Sequence, residues 1–249
     1  MNRLKRKLRQ GRTTLGLWVT LESPSITEIA TDLELDWVVI DAEHGHLDLK
    51  EIVEHIRAAR NTNTTVLVRI QEIEQGLIKR VLDIGADGIV VPQVRNAEEV
   101  AQAIRFAKYP PQGVRGIGAE RSTRWGMAFK SATAIANRET MVVPIVENVE
   151  AERNIDSILE VPGVDAIFFG PADFSASAGY VGEWEGGDVK QRILKVKDKI
   201  RARGLACGVV ATSAQDGQLR KRQGFQMISI GLDAGLLIRA SREMINALR

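Results

Sequence analysis

Short apolar runs recur along this chain. TLGLWV, DWVVID, TVLVRI, GIVVPQ, MVVPIVE, DAIFFG, LACGVV and QMISIG make eight, each bounded by glycine, proline or charged residues. They lack the apolar–polar alternation of a half-solvated strand, so each predicts a strand buried on both faces, as a parallel sheet requires. Between them the spacing turns helical. Val189, Ile193, Val196 and Ile200 mark one stripe, Ile52, Ile56 and Ala59 another, and Leu236, Leu237, Ala240, Met244 and Leu248 a third at the C-terminus. Eight strand-then-helix units in 249 residues predict an α/β protein, a single (β/α)₈ TIM barrel over residues 1–249. The rival is an open doubly wound sheet, but no GxGxxG opens a helix, so its dinucleotide-binding form lacks its signature. One connection is long: YPPQGVRGIGAERSTRWG, which a compact domain keeps as a site element or an interface element.

Composition narrows the function classes. Charged residues are 27% and hydrophobic residues 44%, an ordinary soluble balance. The formal net charge of +2 is too near balance to argue for nucleic-acid or membrane partners, and none is expected. The basic start, RLKRKLRQGR, reads as a solvated helix face, and it has no apolar core of a secretory signal. No apolar run approaches the roughly 18 residues of a membrane span. Cys207 is the only cysteine, so no internal disulfide forms and a cytoplasmic location is expected. It lies in an apolar run, as a buried, inert thiol would.

In a barrel, the residues that follow the strands gather on one face. Those residues are Asp41, Glu43 and His44 after the second run, Arg69 ending the third, Pro92 and Gln93 after the fourth, Glu147 ending the fifth, Gly170 to Asp173 after the sixth, and Gly231, Leu232 and Asp233 after the eighth. Glu147 and Asp173 would each serve as a helix cap, but together they offer hard oxygen ligands suited to Mg²⁺, Mn²⁺ or Co²⁺. His44, with Asp41 and Glu43 beside it, is a candidate general base, or a loop histidine bonded to backbone. Arg69 would point its planar donors at an oxyanion, pair with Asp41 or Glu43, or do both. The GPAD turn presents backbone N–H groups of Ala172 and Asp173 to a carboxylate. His46 and His55 have no such setting. No lysine lies in any of the eight runs, and Lys79, Lys108, Lys130 and Lys195 fall in polar or helical settings, which disfavours a Schiff base. A base, a cation, an arginine and N–H donors suit an enolate formed from a 2-oxo acid.

At these residues the chain resembles the metal-dependent, pyruvate-specific aldolases of the HpcH/HpaI family. The resemblance rests on GLWVTLESPSITEI, DWVVIDAEHG, the arginine of VRI, IKRVLDIGADGIVVPQVRNAEE, KYPPQGVRGIG, NIDSILEVPGVD and FFGPADFSASAG, and spans nearly the whole chain. It implies a barrel of the phosphoenolpyruvate/pyruvate type and reversible cleavage of a 4-hydroxy-2-oxo acid into pyruvate and an aldehyde. It implies that Glu147 and Asp173 bind Mg²⁺ or Mn²⁺, that His44 accepts a proton, and that Arg69 stabilises the transition state. Ala172 and Asp173 would meet the pyruvate carboxylate, with Trp18 and Val210 also in the substrate pocket. Asp83 matches the acid that raises the basicity of the histidine. It ends a helix running away from the catalytic face, so its His44 is expected in a neighbouring chain. The resemblance further implies no nucleotide cofactor and a homohexamer with an exchanged C-terminal helix. Two positions depart: Ile145 stands where the family often has a substrate-contacting glutamine, and Phe174 where leucine is usual. The loop from Arg115 to Trp125 is expected to build the aldehyde pocket. An oxaloacetate decarboxylase using the same enolate, or a non-catalytic barrel that binds an oxo acid, are the rival readings.

Overall fold

The computed structural model describes residues 2–249. Eight parallel strands close into a barrel in chain order: β1 Thr14–Val19, β2 Trp37–Asp41, β3 Thr65–Arg69, β4 Gly88–Val91, β5 Met141–Val146, β6 Ala166–Phe169, β7 Ala206–Val210 and β8 Met227–Leu232. Every apolar run is a strand. β2, β3, β4, β5 and β6 are buried along their whole length, because the barrel interior lies on one side and a ring of helices on the other.

The side chains divide accordingly. Trp18, Trp37, Val39, Leu67, Val90, Val143, Ile145 and Phe168 fill the barrel. Val38, Ile40, Val68, Ile89, Val142, Ile167 and Val209 face outward onto helices. Those include α3 Leu49–Ala58, α4 Gln75–Asp83, α5 Ala97–Ala107 and α10 Val189–Ala202, whose Val189, Ile193, Val196 and Ile200 bury the expected stripe. Inside the barrel, large and small residues interlock. The Trp37 ring lies across Gly16, where an added Cβ would fall 2.1 Å from its Cδ2. Trp18 packs on Phe168 with ring centroids 5.1 Å apart.

The base of the barrel shows what the basic N-terminus does: Arg3, Arg6 and Arg9 form the solvated face, and the opposite face is buried. Helix α1, Arg3–Arg9, lies against the strand beginnings and sends Leu4 and Leu8 into the inner core. Its Lys5 is buried too, paired to Asp165 at 2.8 Å and donating to the Arg138 carbonyl at 2.8 Å. Lys7 pairs with Asp36. A repeated device holds this rim. Asp36, Asp87 and Asp165, each one residue before β2, β4 or β6, accept the backbone N–H of the second residue of the preceding strand: Leu15 at 3.0 Å, Val66 at 2.8 Å and Val142 at 3.1 Å. Before β8 the position is Gln226, which instead donates to the Leu8 carbonyl at 3.2 Å and ties α1 down.

Lys108 also sits at this end, buried among backbone carbonyls after α5. It donates to the Asn137 carbonyl at 2.9 Å, and burial pulls its pKa down to about 8. Cys207 is buried behind β7, and burial pushes its thiol to about 12, which makes it inert. His55 is buried between α3 and α2 Ser25–Asp32, where its Nδ1 shares a 2.8 Å hydrogen bond with Thr27 Oγ1. The C-terminal stripe behaves differently. On α12, Asp233–Leu248, Leu237, Met244 and Leu248 are 63%, 63% and 81% exposed. Among the described residues, no helix is long and apolar enough to cross a membrane.

Candidate active site

The strand ends opposite α1 surround a cavity of about 200 Å³. Trp18, His44, Arg69, Ile145, Glu147, Asp173 and Val210 line it together. Seven positions spread over 193 residues of chain converge because every strand points its C-terminal end at the same mouth.

Asp41, the last residue of β2, organises one side. Its Oδ1 accepts from Arg69 Nε at 2.9 Å and from the backbone N–H groups of Glu43 and His44 at 3.0 and 3.3 Å. Its Oδ2 accepts from Trp18 Nε1 at 3.2 Å and from Arg69 Nη2. Burial works to raise the Asp41 pKa, but the Arg69 guanidinium and the backbone donors overcome it and hold the carboxyl below its ordinary range. Arg69 therefore has the carboxylate pairing read from the sequence. Its Nη1 also pairs with Glu43 Oε2 at 2.7 Å, and its guanidinium lies 5.1 Å from the Trp18 ring centre. Three of its five N–H donors are committed, which fixes the plane and leaves two for a substrate oxygen.

His44 is not held by Asp41 through its ring. Asp41 spends its oxygens on Arg69, Trp18 and backbone, and the neighbouring carboxylate is Glu43, whose Oε2 lies 3.9 Å from His44 Nε2. The imidazole is 63% exposed and stands at the mouth, free to turn toward a bound molecule. Burial raises the Glu43 carboxyl, against the pull of Arg69 and His44.

The other side carries the acids. Glu147 follows β5 and is 2% exposed. Its Oε1 accepts the backbone N–H of Gln93 at 2.6 Å, and Gln93 holds that donor in place from a left-handed conformation, φ 51°. Gly170 makes room for the carboxylate, since a Cβ there would lie 2.4 Å from Glu147 Oε2. Pro171 then starts α9, Pro171–Ser177, and places Asp173 in its first turn. Asp173 makes no hydrogen bond or ion pair among the described residues, so its role is not that of a side-chain cap. Burial pushes the Glu147 carboxyl up to about 8 despite the Gln93 donor, and the charges of Asp173 and Glu43 push the same way. A buried carboxyl under such pressure, one free carboxylate beside it and a glycine that clears the space fit a hard divalent cation. Among the described residues no group of three or more His, Cys, Asp or Glu side chains comes together to hold a metal. The protein thus supplies at most these two carboxylates, and the remaining positions of an ion there fall to water or substrate.

The profile described as HpcH/HpaI aldolase/citrate lyase matches residues 14–240. The chain belongs to this family. The HpcH/HpaI chain is 33% identical over 98% of its length to a hydroxypyruvate/pyruvate aldolase of Pseudomonas aeruginosa, of which it covers 91%. It is 36% identical over 96% of its length to a 2-keto-3-deoxy-L-rhamnonate aldolase of Klebsiella pneumoniae, covering 90% of that protein. A solved HpcH/HpaI family protein from Burkholderia cenocepacia superposes with a TM-score of 0.95 at 30% identity, over 100% of both chains.

Asp83 ends α4 at the base rim, away from the catalytic face as its helix predicts, and pairs there with Arg115 Nη2 at 2.7 Å. Within one chain it does not meet His44. The loop from Arg115 to Trp125 lies at the same rim, with Arg121 Nε donating to the Ile84 carbonyl at 2.9 Å. It does not line the Glu147 cavity of its own chain, because α5 runs antiparallel to the strands and delivers the chain to the base before this loop begins. Conversely, Phe168 and Trp184 line the cavity without being expected there, while Leu232 lies where the residues after the eighth run are expected. Phe168 lies in an apolar run and carries no chemical signal. Trp184 lies in the segment between α9 and α10, where no periodicity marks it.

Proposed function

We propose that the protein is a divalent-metal-dependent aldolase that reversibly cleaves a 4-hydroxy-2-oxo acid into pyruvate and an aldehyde. The observation that carries this reading is the convergence of buried Glu147 and unpaired Asp173 on the cavity that Arg69 and His44 also line. Glu147 and Asp173 would hold Mg²⁺ or Mn²⁺, which would supply Lewis-acid chemistry at the 2-oxo group. Arg69, its plane set by Asp41 and Glu43, directs its two spare donors at the same oxygen, where negative charge develops. The first-turn N–H groups of Ala172 and Asp173 have no intrahelical acceptors and receive the substrate carboxylate.

In the cleavage direction His44 takes the proton of the C4 hydroxyl. The O–H electron pair becomes the aldehyde C=O, the C3–C4 bond breaks, and its electron pair passes into the pyruvate enolate. C3 is then protonated to give pyruvate. Trp18 and Val210 wall the substrate. The exposed apolar stripe of α12 supports a homo-oligomer, hexameric by family resemblance, in which Asp83 acts on the His44 of another copy. A cytoplasmic setting agrees with the single buried thiol.

The test is retro-aldol cleavage and C3 proton exchange of pyruvate, each with Mn²⁺ or Mg²⁺ and after exhaustive chelation. Metal-dependent exchange and aldehyde release are expected. Full activity without the cation removes the assignment of Glu147 and Asp173, and no exchange under any condition removes the aldolase.

A further inference from the structure

Trp184 reaches the cavity from residues 178–188, a segment between α9 and α10 that forms no helix or strand. The segment is nevertheless fastened at three points. Ser175, fully buried on α9, donates its hydroxyl to the Trp184 carbonyl at 3.2 Å and accepts the Gly186 N–H at 3.0 Å. The Tyr180 ring lies across Gly187, where an added Cβ would fall 2.1 Å from its Cζ. Glu185, next to Trp184, pairs with Arg220 Nη1 at 2.7 Å, and the two side chains are 11% and 3% exposed. Arg220 lies on α11, Ala214–Arg222, and its Nε donates to Asp216 at 2.9 Å. Asp216 in turn accepts the Thr212 N–H at 2.9 Å and the Thr212 hydroxyl at 3.2 Å. Thr212 stands two residues past Val210, which ends β7 and lines the cavity. All these contacts lie within one chain, so groups that a neighbouring copy brings to the mouth add to the wall without replacing them.

A buried ion pair is a costly way to tie down a loop. Both charges lose their water, and well-packed apolar side chains would hold the turn as well. What the pair adds is direction: the planar guanidinium fixes Glu185, and with it the backbone that carries Trp184. The residue so placed is a large aromatic at the lip, 37% exposed, above a Glu147 that is 2% exposed. On the aldolase reading, the 2-oxo acid end of the substrate lies with Glu147 and Asp173, and the chain beyond C4 points toward the lip. We propose that Trp184 is a specificity-determining residue whose ring contacts the aldehyde substituent, and that Arg220 and Ser175 are positioning residues that hold it there. The proposal rests on the aldolase reading above and names what governs its aldehyde half. The Trp184 indole N–H has no acceptor among the described residues. It is therefore open to an oxygen, and the test uses substituents without one so that the ring alone is measured.

The test takes the full-length protein with Mn²⁺ and pyruvate and measures kcat/KM for butanal and for acetaldehyde. Their ratio does not depend on the fraction of protein folded. Trp184→Ala is expected to lower the butanal to acetaldehyde ratio by about tenfold, and Trp184→Phe, which keeps a ring, by less than about threefold. Arg220→Met is expected to lower the ratio by about three- to tenfold, and to change it no further in the Trp184→Ala background. Ser175→Ala, which removes a single hydroxyl, is expected to act in the same way and carries the test if Arg220→Met does not fold. A ratio unchanged or raised in Trp184→Ala, or no turnover of butanal by the wild type, overturns the assignment of Trp184. An Arg220 or Ser175 effect on the ratio that persists without Trp184, or no effect of either, overturns the positioning. Pyruvate C3 proton exchange by the wild type runs alongside: its presence leaves the aldolase standing under either result, and its absence overturns both.

Discussion

Replacing Glu147 by glutamine should make the metal-free protein more stable. The amide has the shape of the protonated acid and keeps an oxygen for the Gln93 N–H, which donates to Glu147 Oε1 at 2.6 Å. What it removes is ionisation in a site that is 2% exposed and flanked by the charges of Asp173 and Glu43. In the unfolded chain the carboxyl titrates near 4.5, while in the folded, metal-free protein burial raises it to about 8. Below pH 4.5 both states hold the proton and the variant gains nothing from this source. As pH rises from there to 8, the unfolded chain releases its proton while the folded one retains it, so the wild type loses stability. At pH 7 the loss is about 3 kcal/mol, from roughly 1.4 kcal/mol per pH unit between the unfolded pKa and the working pH. For a chain of this size that places the melting point of E147Q about 6–12 °C above the wild type in chelator. Saturating Mn²⁺ should narrow or reverse the gap, because the wild type gains binding energy that the variant forgoes. The assay is thermal denaturation from pH 4.5 to 8.5, in chelator and in Mn²⁺. A gap that is absent at pH 7, or equal in size at pH 4.5 and pH 7.5, refutes the reasoning.

His44→Ala should lower kcat by about 10²–10⁴-fold while leaving Mn²⁺ affinity within a few fold, read by steady-state kinetics and calorimetry. Arg69→Lys keeps the charge but cannot span Asp41 and Glu43 together, so kcat should fall by about 10²-fold, and a melting curve should show partial loss of stability. Leu4→Ala, at a position 1% exposed, should cost about 2–5 kcal/mol in chemical denaturation without altering KM for the aldehyde. A change confined to KM would mean that α1 does not seal the base.

Much of the barrel was legible because a strand covered on two sides must be apolar throughout, and no other local structure leaves that mark so often in one chain. The charged site residues were legible for a related reason: an arginine ending TVLVR or a glutamate ending MVVPIVE interrupts a pattern that burial otherwise enforces. Partnership was harder to read. Arg69 was legible as a partner for Asp41 or Glu43, but only the fold shows that it takes both and that Asp41 also accepts from Trp18 rather than holding the His44 ring. Helix α1 misled for the opposite reason, since its abundant lysine and arginine conceal two leucines and a paired lysine that go inward. The loop from Arg115 to Trp125 carries arginines and glycines suited to a site, but loop composition does not reveal which rim of a barrel the loop occupies. Phe168 and Trp184 have no titratable group to announce them, and only their place around the mouth gives them meaning.

Helix α1 has a kinetic consequence. The barrel interior is filled by side chains and α1 covers its base, so the cavity lies at the mouth formed by the strand ends, where reactants and products share it. Glu147 lies deep at 2% exposure, while Leu232 and Trp184 stand near the lip at 38% and 37%. On the proposed reading, in which the 2-oxo acid binds at Glu147 and Asp173, the acid enters before the aldehyde in the condensing direction and the aldehyde leaves first after cleavage.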